Sequence, residues 1–148
     1  MTRERVTTVL YAARQPRVPL ALVLLALCTQ AAAACPDVNE GYARLASPEA
    51  EIAFRWEPAD IKVGKFLQIE VVACRTPDGG PVTRVAVDAR MPAHGHGMNY
   101  RPKATEVGPG RFRFTGLMMH MAGAWQLTFD IFQGDKRTRL SQDLDVAP

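Results

Sequence analysis

From Glu51 to Val146 the chain is a succession of short runs in which apolar and polar residues alternate, each closed by a turn signal. A period of two is the pattern of a strand with one face buried and one wet. Val82 to Met91 is the clearest case: Val85, Val87 and Ala89 fall on one face, and Arg84, Ala86, Asp88 and Arg90 on the other. Similar runs span Glu51 to Trp56, Lys65 to Ala73, Lys103 to Val107, Arg111 to Thr115, Ala124 to Phe132, and about Arg137 to Val146. Glu57-Pro58, Thr76-Pro77-Asp78-Gly79-Gly80-Pro81, Gly108-Pro109-Gly110 and Gln133-Gly134-Asp135-Lys136 separate them, and Gly108-Pro109-Gly110 reads as a hairpin turn. The segment from Pro36 to Pro48 reads as a loop, and no stretch after residue 34 keeps helical periodicity for ten residues. About seven short strands in one domain, residues 35–148, predict an all-β, immunoglobulin-like antiparallel β-sandwich.

The first 34 residues follow another rule. Arg3, Arg5, Arg14 and Arg17 precede the apolar run Val18 to Cys28, and Ala31 to Ala34 follow Thr29 and Gln30. A basic n-region, an apolar h-region and small residues at −3 and −1 predict a secretory signal peptide over 1–34, cleaved near Ala34. The run falls short of the roughly 18 apolar residues of a spanning helix, so no transmembrane segment is expected after cleavage. The expected location is periplasmic or secreted. Ala32-Ala33-Ala34-Cys35 loosely imitates a lipobox, which keeps a lipoprotein attached through Cys35 as an alternative.

This segment removes four Arg and one Glu from the chain's 18 Lys+Arg and 15 Asp+Glu, so the net charge of +3 belongs to the leader and the remainder is neutral. A neutral domain gives no electrostatic case for nucleic acid. Of the three cysteines, Cys28 leaves with the leader. Cys35 and Cys74, in an exported chain, suggest one disulfide. The alternatives are a lipidated Cys35 or a metal site, though the pair lacks CxxC spacing.

Chemistry concentrates in two segments. Met91-Pro92-Ala93-His94-Gly95-His96-Gly97-Met98 holds two of the three histidines, and Met118-Met119-His120-Met121 holds the third. Every methionine except the initiator lies in one of them. Imidazole and thioether are the ligands that copper(I) favours, whereas copper(II) wants more nitrogen and oxygen and zinc wants cysteine, histidine and carboxylate. His94, His96, Met98, His120 and Met121 form the expected donor pool, with Met91 and Met118 in reserve. If extended, residues 94, 96 and 98 share a strand face, as do Met118 and His120, with Met119 and Met121 opposite. The structural alternative is that the methionines are core and the histidines satisfy loop backbone groups. Ser47 and Ser141 lie in no nucleophile motif, and no Gly-rich phosphate loop precedes a helix, so no enzyme is expected.

At these residues the chain resembles the YtkA-like and FixH-like group of exported β-sandwich domains. The likeness rests on Met91 to Met98 and on Gly116-Leu117-Met118-Met119-His120-Met121-Ala122-Gly123-Ala124-Trp125, and covers roughly residues 50–135. Met119 stands where that group usually has an aromatic, and Ala122 where it has proline. The resemblance implies an immunoglobulin-like fold and an association with copper handling or assembly of copper-containing respiratory enzymes. The resulting expectation is a periplasmic copper-binding or copper-delivery protein, served by a periplasmic or membrane copper enzyme or transporter as partner. A non-enzymatic assembly module with structural histidines and no metal is the alternative, and a small copper-dependent redox enzyme the third reading.

Overall fold

A computed structural model describes residues 35, 38, 40–74 and 80–148. The predicted signal peptide and most of the Thr76 to Pro81 turn lie outside the described residues. Within them the chain forms nine strands: β1 (Ala43–Ala46), β2 (Glu51–Glu57), β3 (Phe66–Cys74), β4 (Arg84–Met91), β5 (His96–Gly97), β6 (Lys103–Gly108), β7 (Arg111–Met118), β8 (Gly123–Gln133) and β9 (Lys136–Val146). A single 3-10 turn, Pro92–His94, is the one helical element among the described residues.

The strands make two antiparallel sheets, ordered β1-β2-β3-β7-β6 and β5-β4-β8-β9. All seven expected strands are present, and the two additions have clear physical origins. β1 lies inside the segment read as a loop; Ala43-Arg44-Leu45-Ala46 carries little alternation and is a strand because β2 offers it an edge. β5 is two residues long and is held against the end of β4, with Met91 opposite His96 and Arg90 opposite Gly97.

The alternation sorts the side chains as expected. Ile52, Phe54, Ile69, Val71, Phe112 and Phe114 of one sheet meet Val85, Val87, Ala89, Trp125, Leu127, Phe129 and Ile131 of the other in one core. Phe54 and Phe129 touch across the sandwich with ring centroids 4.8 Å apart, a tilted geometry that adds about 1 kcal/mol beyond area burial. One register break matters for function. Between β3 and β7 the pairing jumps from Gln68–Thr115 to Leu67–Leu117, leaving Gly116 as the extra residue at φ +83°. The bulge reverses the parity of the residues beyond it: Leu117 and Met119 enter the core, and Met118 pairs with exposed Phe66. Glycine suits the position because φ > 0 is strained for residues with a Cβ.

The outer face of the five-stranded sheet carries its own small cluster, Ala53, Val72 and Cys74, covered by Cys35, Val38 and Tyr42. Cys35 and Cys74 are joined in a disulfide, the pairing that their number and compartment suggested. Beside them Glu70 is buried. It accepts hydrogen bonds from Arg55 at 2.9 Å, from Arg111 and from the Tyr42 hydroxyl. Burial pushes the Glu70 carboxyl up, and these hydrogen bonds outweigh it and hold the group below the usual range.

Candidate metal centre

β4 ends at Met91, and the chain turns through Pro92–His94 with Gly95 in the left-handed region at φ +69°. Gly95 N–H donates to Met91 O at 3.0 Å and Met98 N–H to Ala89 O at 3.1 Å, so the turn folds back on the strand it leaves. Gly97 sits where a Cβ would come within 3.2 Å of Ala89 O. The glycine spacing of the His-Gly-His-Gly run is therefore a backbone requirement.

The second segment arrives from the other sheet. After β7 the chain passes through Met119 to Ala122 and enters β8 at Gly123, crossing at the end of the sandwich where β4 ends. Gly64 N–H anchors this crossing at Met119 O, 2.8 Å away, and Trp125 Nε1–H anchors it at Met121 O, 3.0 Å away. The result is that all three histidines meet. Ring centroids of His94 and His96 are 5.7 Å apart, and those of His96 and His120 are 5.2 Å apart. The Trp125 ring makes T-shaped pairs with His120 at 5.3 Å and with His96 at 6.2 Å between centroids.

Burial grades the cluster from solvent inward. His94 is exposed, and His96 and His120 are half-buried. His96 Nδ1 lies 3.4 Å from Gly97 O, leaving Nε2 as its open nitrogen. His120 Nδ1 is buried and has no hydrogen-bond partner, which is uncommon for a polar atom away from water.

The methionines divide. Met121 is 39% exposed, and Met98 is half-buried against the core. Met91 and Met119, 3% and 0% exposed, are core residues. The Met91 methyl would lie 3.2 Å from a Cβ on Gly123, so it fills the space that this glycine leaves. Met118 lies opposite Phe66 on β3. Met118 and His120 do not continue one strand face, because the chain leaves β7 after Met118.

Among the described residues, Cys35, Glu51 and Cys74 are the one group of three or more His, Cys, Asp or Glu whose ligand atoms all lie within 4.8 Å of one another. Its sulfurs are spent in the disulfide. The three imidazoles are adjacent but not closed to that spacing, and their rings must rotate to converge on one ion. Sequence reasoning did not assign Trp125 to this site. Its five-residue spacing from His120 and its place on the inward face of β8 were the available signals.

The YtkA-like family model matches residues 45–130, which takes in both segments. The chain belongs to the YtkA-like family. No match to this YtkA-like chain is found among curated protein sequences. Among solved structures it is similar to a DUF4426 family protein from Pseudomonas aeruginosa, at 12% identity and TM-score 0.51, covering 75% of this chain and 98% of that one. It is also similar to a copper-bound variant of FetP from uropathogenic Escherichia coli strain F11, at 13% identity and TM-score 0.44, covering 74% and 98%. The Pseudomonas protein shares the fold, and at these identities the likeness goes no further.

Proposed function

We propose that this YtkA-like domain is a periplasmic copper-binding or copper-delivery protein, not an enzyme, whose cargo is copper(I) held by His94, His96 and His120 with Met98 and Met121. The observation that carries the reading is the meeting of His120 with His96 and His94 from segments 24 residues apart, with ring centroids at 5.2 and 5.7 Å. The buried, unpartnered Nδ1 of His120 supports it, since with the ring proton on Nε2 this nitrogen offers a lone pair that a soft ion satisfies. The donor chemistry fits: three neutral imidazoles and two thioethers offer no negative charge, which suits a monovalent ion. Exposed His94 and Met121 would exchange first with a partner's ligands, and His120 last, which is how a carrier differs from a store. The partner of such a carrier is a periplasmic or membrane copper enzyme or transporter.

A second reading has an observation of its own. The T-shaped packing of His96 and His120 on Trp125 could serve the fold alone, in a metal-free assembly module. Titration of the refolded domain with copper(I) against a chromophoric competitor separates the two. Wild type is expected to outcompete the chromophore, and the His94→Ala/His96→Ala double variant to lose at least 100-fold, on the order of two lost ligands at roughly tenfold or more each. Failure of wild type to compete would leave the structural reading, and unchanged affinity in the double variant would move the site elsewhere.

A further inference from the structure

Trp125 touches both halves of the site. It is 1% exposed and sits on β8, which is paired on both sides by β4 and β9, so its indole is held by a longer strand than either ligand segment has. His96 is carried by a two-residue strand, and His120 by a connection outside the strands. The indole ring meets both imidazoles at steep interplanar angles, 75° to His96 and 83° to His120, and its N–H is donated to the backbone next to His120, at Met121 O.

We infer that Trp125 is a positioning residue for the copper site: its ring spaces His96 from His120 and its Nε1–H fixes the Met119–Ala122 crossing that carries His120. The inference rests on the copper reading above. Any buried indole N–H needs a partner, and what distinguishes Trp125 is where that partner lies, at Met121 O beside His120. Here the one polar atom of the indole is used on the segment that must be held, and the buried ring packs at a steep angle against both imidazoles. Trp125 itself donates nothing to copper; it acts through where the two rings stand.

The test is a double-mutant cycle in copper(I) affinity over wild type, Trp125→Phe, His120→Ala and the combined variant. Phenylalanine keeps an aromatic ring and removes the donor. A net hydrogen bond predicts an affinity about three- to tenfold weaker in Trp125→Phe, and less than a twofold further change when His120 is already alanine. An equal loss in both backgrounds would make Trp125 merely structural, and no loss in either would remove it from the site. A second measurement stands without metal and without a variant. In the copper-free protein, nuclear Overhauser contacts are expected from the Trp125 ring to both His96 and His120 rings, with a Trp125 indole N–H that exchanges more slowly with solvent than that of Trp56. Missing contacts to either histidine would overturn the inference. Wild type that binds no copper(I) while showing these contacts would instead sink the copper reading and leave Trp125 as a spacer of imidazoles.

Discussion

Two of the polar clusters among the described residues are treated in opposite ways. On the outer face of the five-stranded sheet, the Glu70 carboxylate accepts from Arg55, Arg111 and Tyr42, Arg111 also reaches the Tyr42 hydroxyl at 3.3 Å, and the Arg55 guanidinium lies 5.0 Å over the Tyr42 ring. At the end of the sandwich, three imidazoles crowd together and one nitrogen is left buried without a partner. Satisfied polar clusters hold structure together, and an unsatisfied one costs stability that selection for folding alone would remove. On the copper reading proposed above, the contrast separates a patch built for the fold from an end built for something that arrives later.

The largest expected difference is in stability. Glu70→Ala leaves two guanidinium groups around an empty position, and should cost about 3 kcal/mol, the low end for a broken buried pair because Arg55 reaches solvent. His120→Ala removes the unpaired Nδ1 and should cost less than about 1 kcal/mol. Urea midpoints of the copper-free protein measure both, with copper(I) affinity expected to move in the reverse order. A His120→Ala variant as destabilised as Glu70→Ala would erase the distinction between the two regions.

Sequence periodicity carried most of the fold, because strand faces at Val82 to Met91 or Ala124 to Phe132 are dictated by which residues can be buried. It missed β1 and β5, whose residues carry no alternation and become strands only when a neighbour supplies an edge. The cluster of histidine and methionine was legible as composition, since both residues are scarce and fall in two short segments. Its geometry was not: Gly116 shifts the pairing by one residue, and no local pattern says that a bulge will send Met119 inward and set Met118 against Phe66. Glu70 also escaped notice, because a single acid in Phe66–Cys74 looks like a solvated position until Arg55 and Arg111 arrive from the strands on either side.

A smaller effect appears with acid. The Glu70 carboxyl is lowered by its hydrogen-bond donors despite burial, and Asp130 is lowered chiefly by its hydrogen bonds from Arg139, at 2.7 and 2.8 Å. A folded-state value below the unfolded one means stability that is complete above the ordinary carboxylate range, about 4, and lost as pH falls through the folded value. Urea midpoints of the copper-free protein should fall below about pH 4, and the decline should be shallower in Glu70→Gln because one of the two groups no longer titrates. An identical acid decline in that variant would mean that the Glu70 network does not couple proton uptake to unfolding.

The smallest effect expected is at Met118, and it sharpens the boundary of the open end. Thioether chemistry would make Met118 a donor as good as Met121, and the sequence places it only two residues from His120. The Gly116 bulge instead pairs it with Phe66, whose ring is 5.2 Å from that of Tyr100 in a surface aromatic pair. Met118→Leu conserves volume and apolar contact, so stability should change by less than about 1.5 kcal/mol. Copper(I) affinity should stay within twofold of wild type, while Met121→Leu, at an exposed residue whose own carbonyl is tied to Trp125, should weaken it by more. Equal losses in the two leucine variants would extend the ligand set through the bulge and onto the outer face of the other sheet, and the division between a closed patch and an open end would then have to be drawn elsewhere.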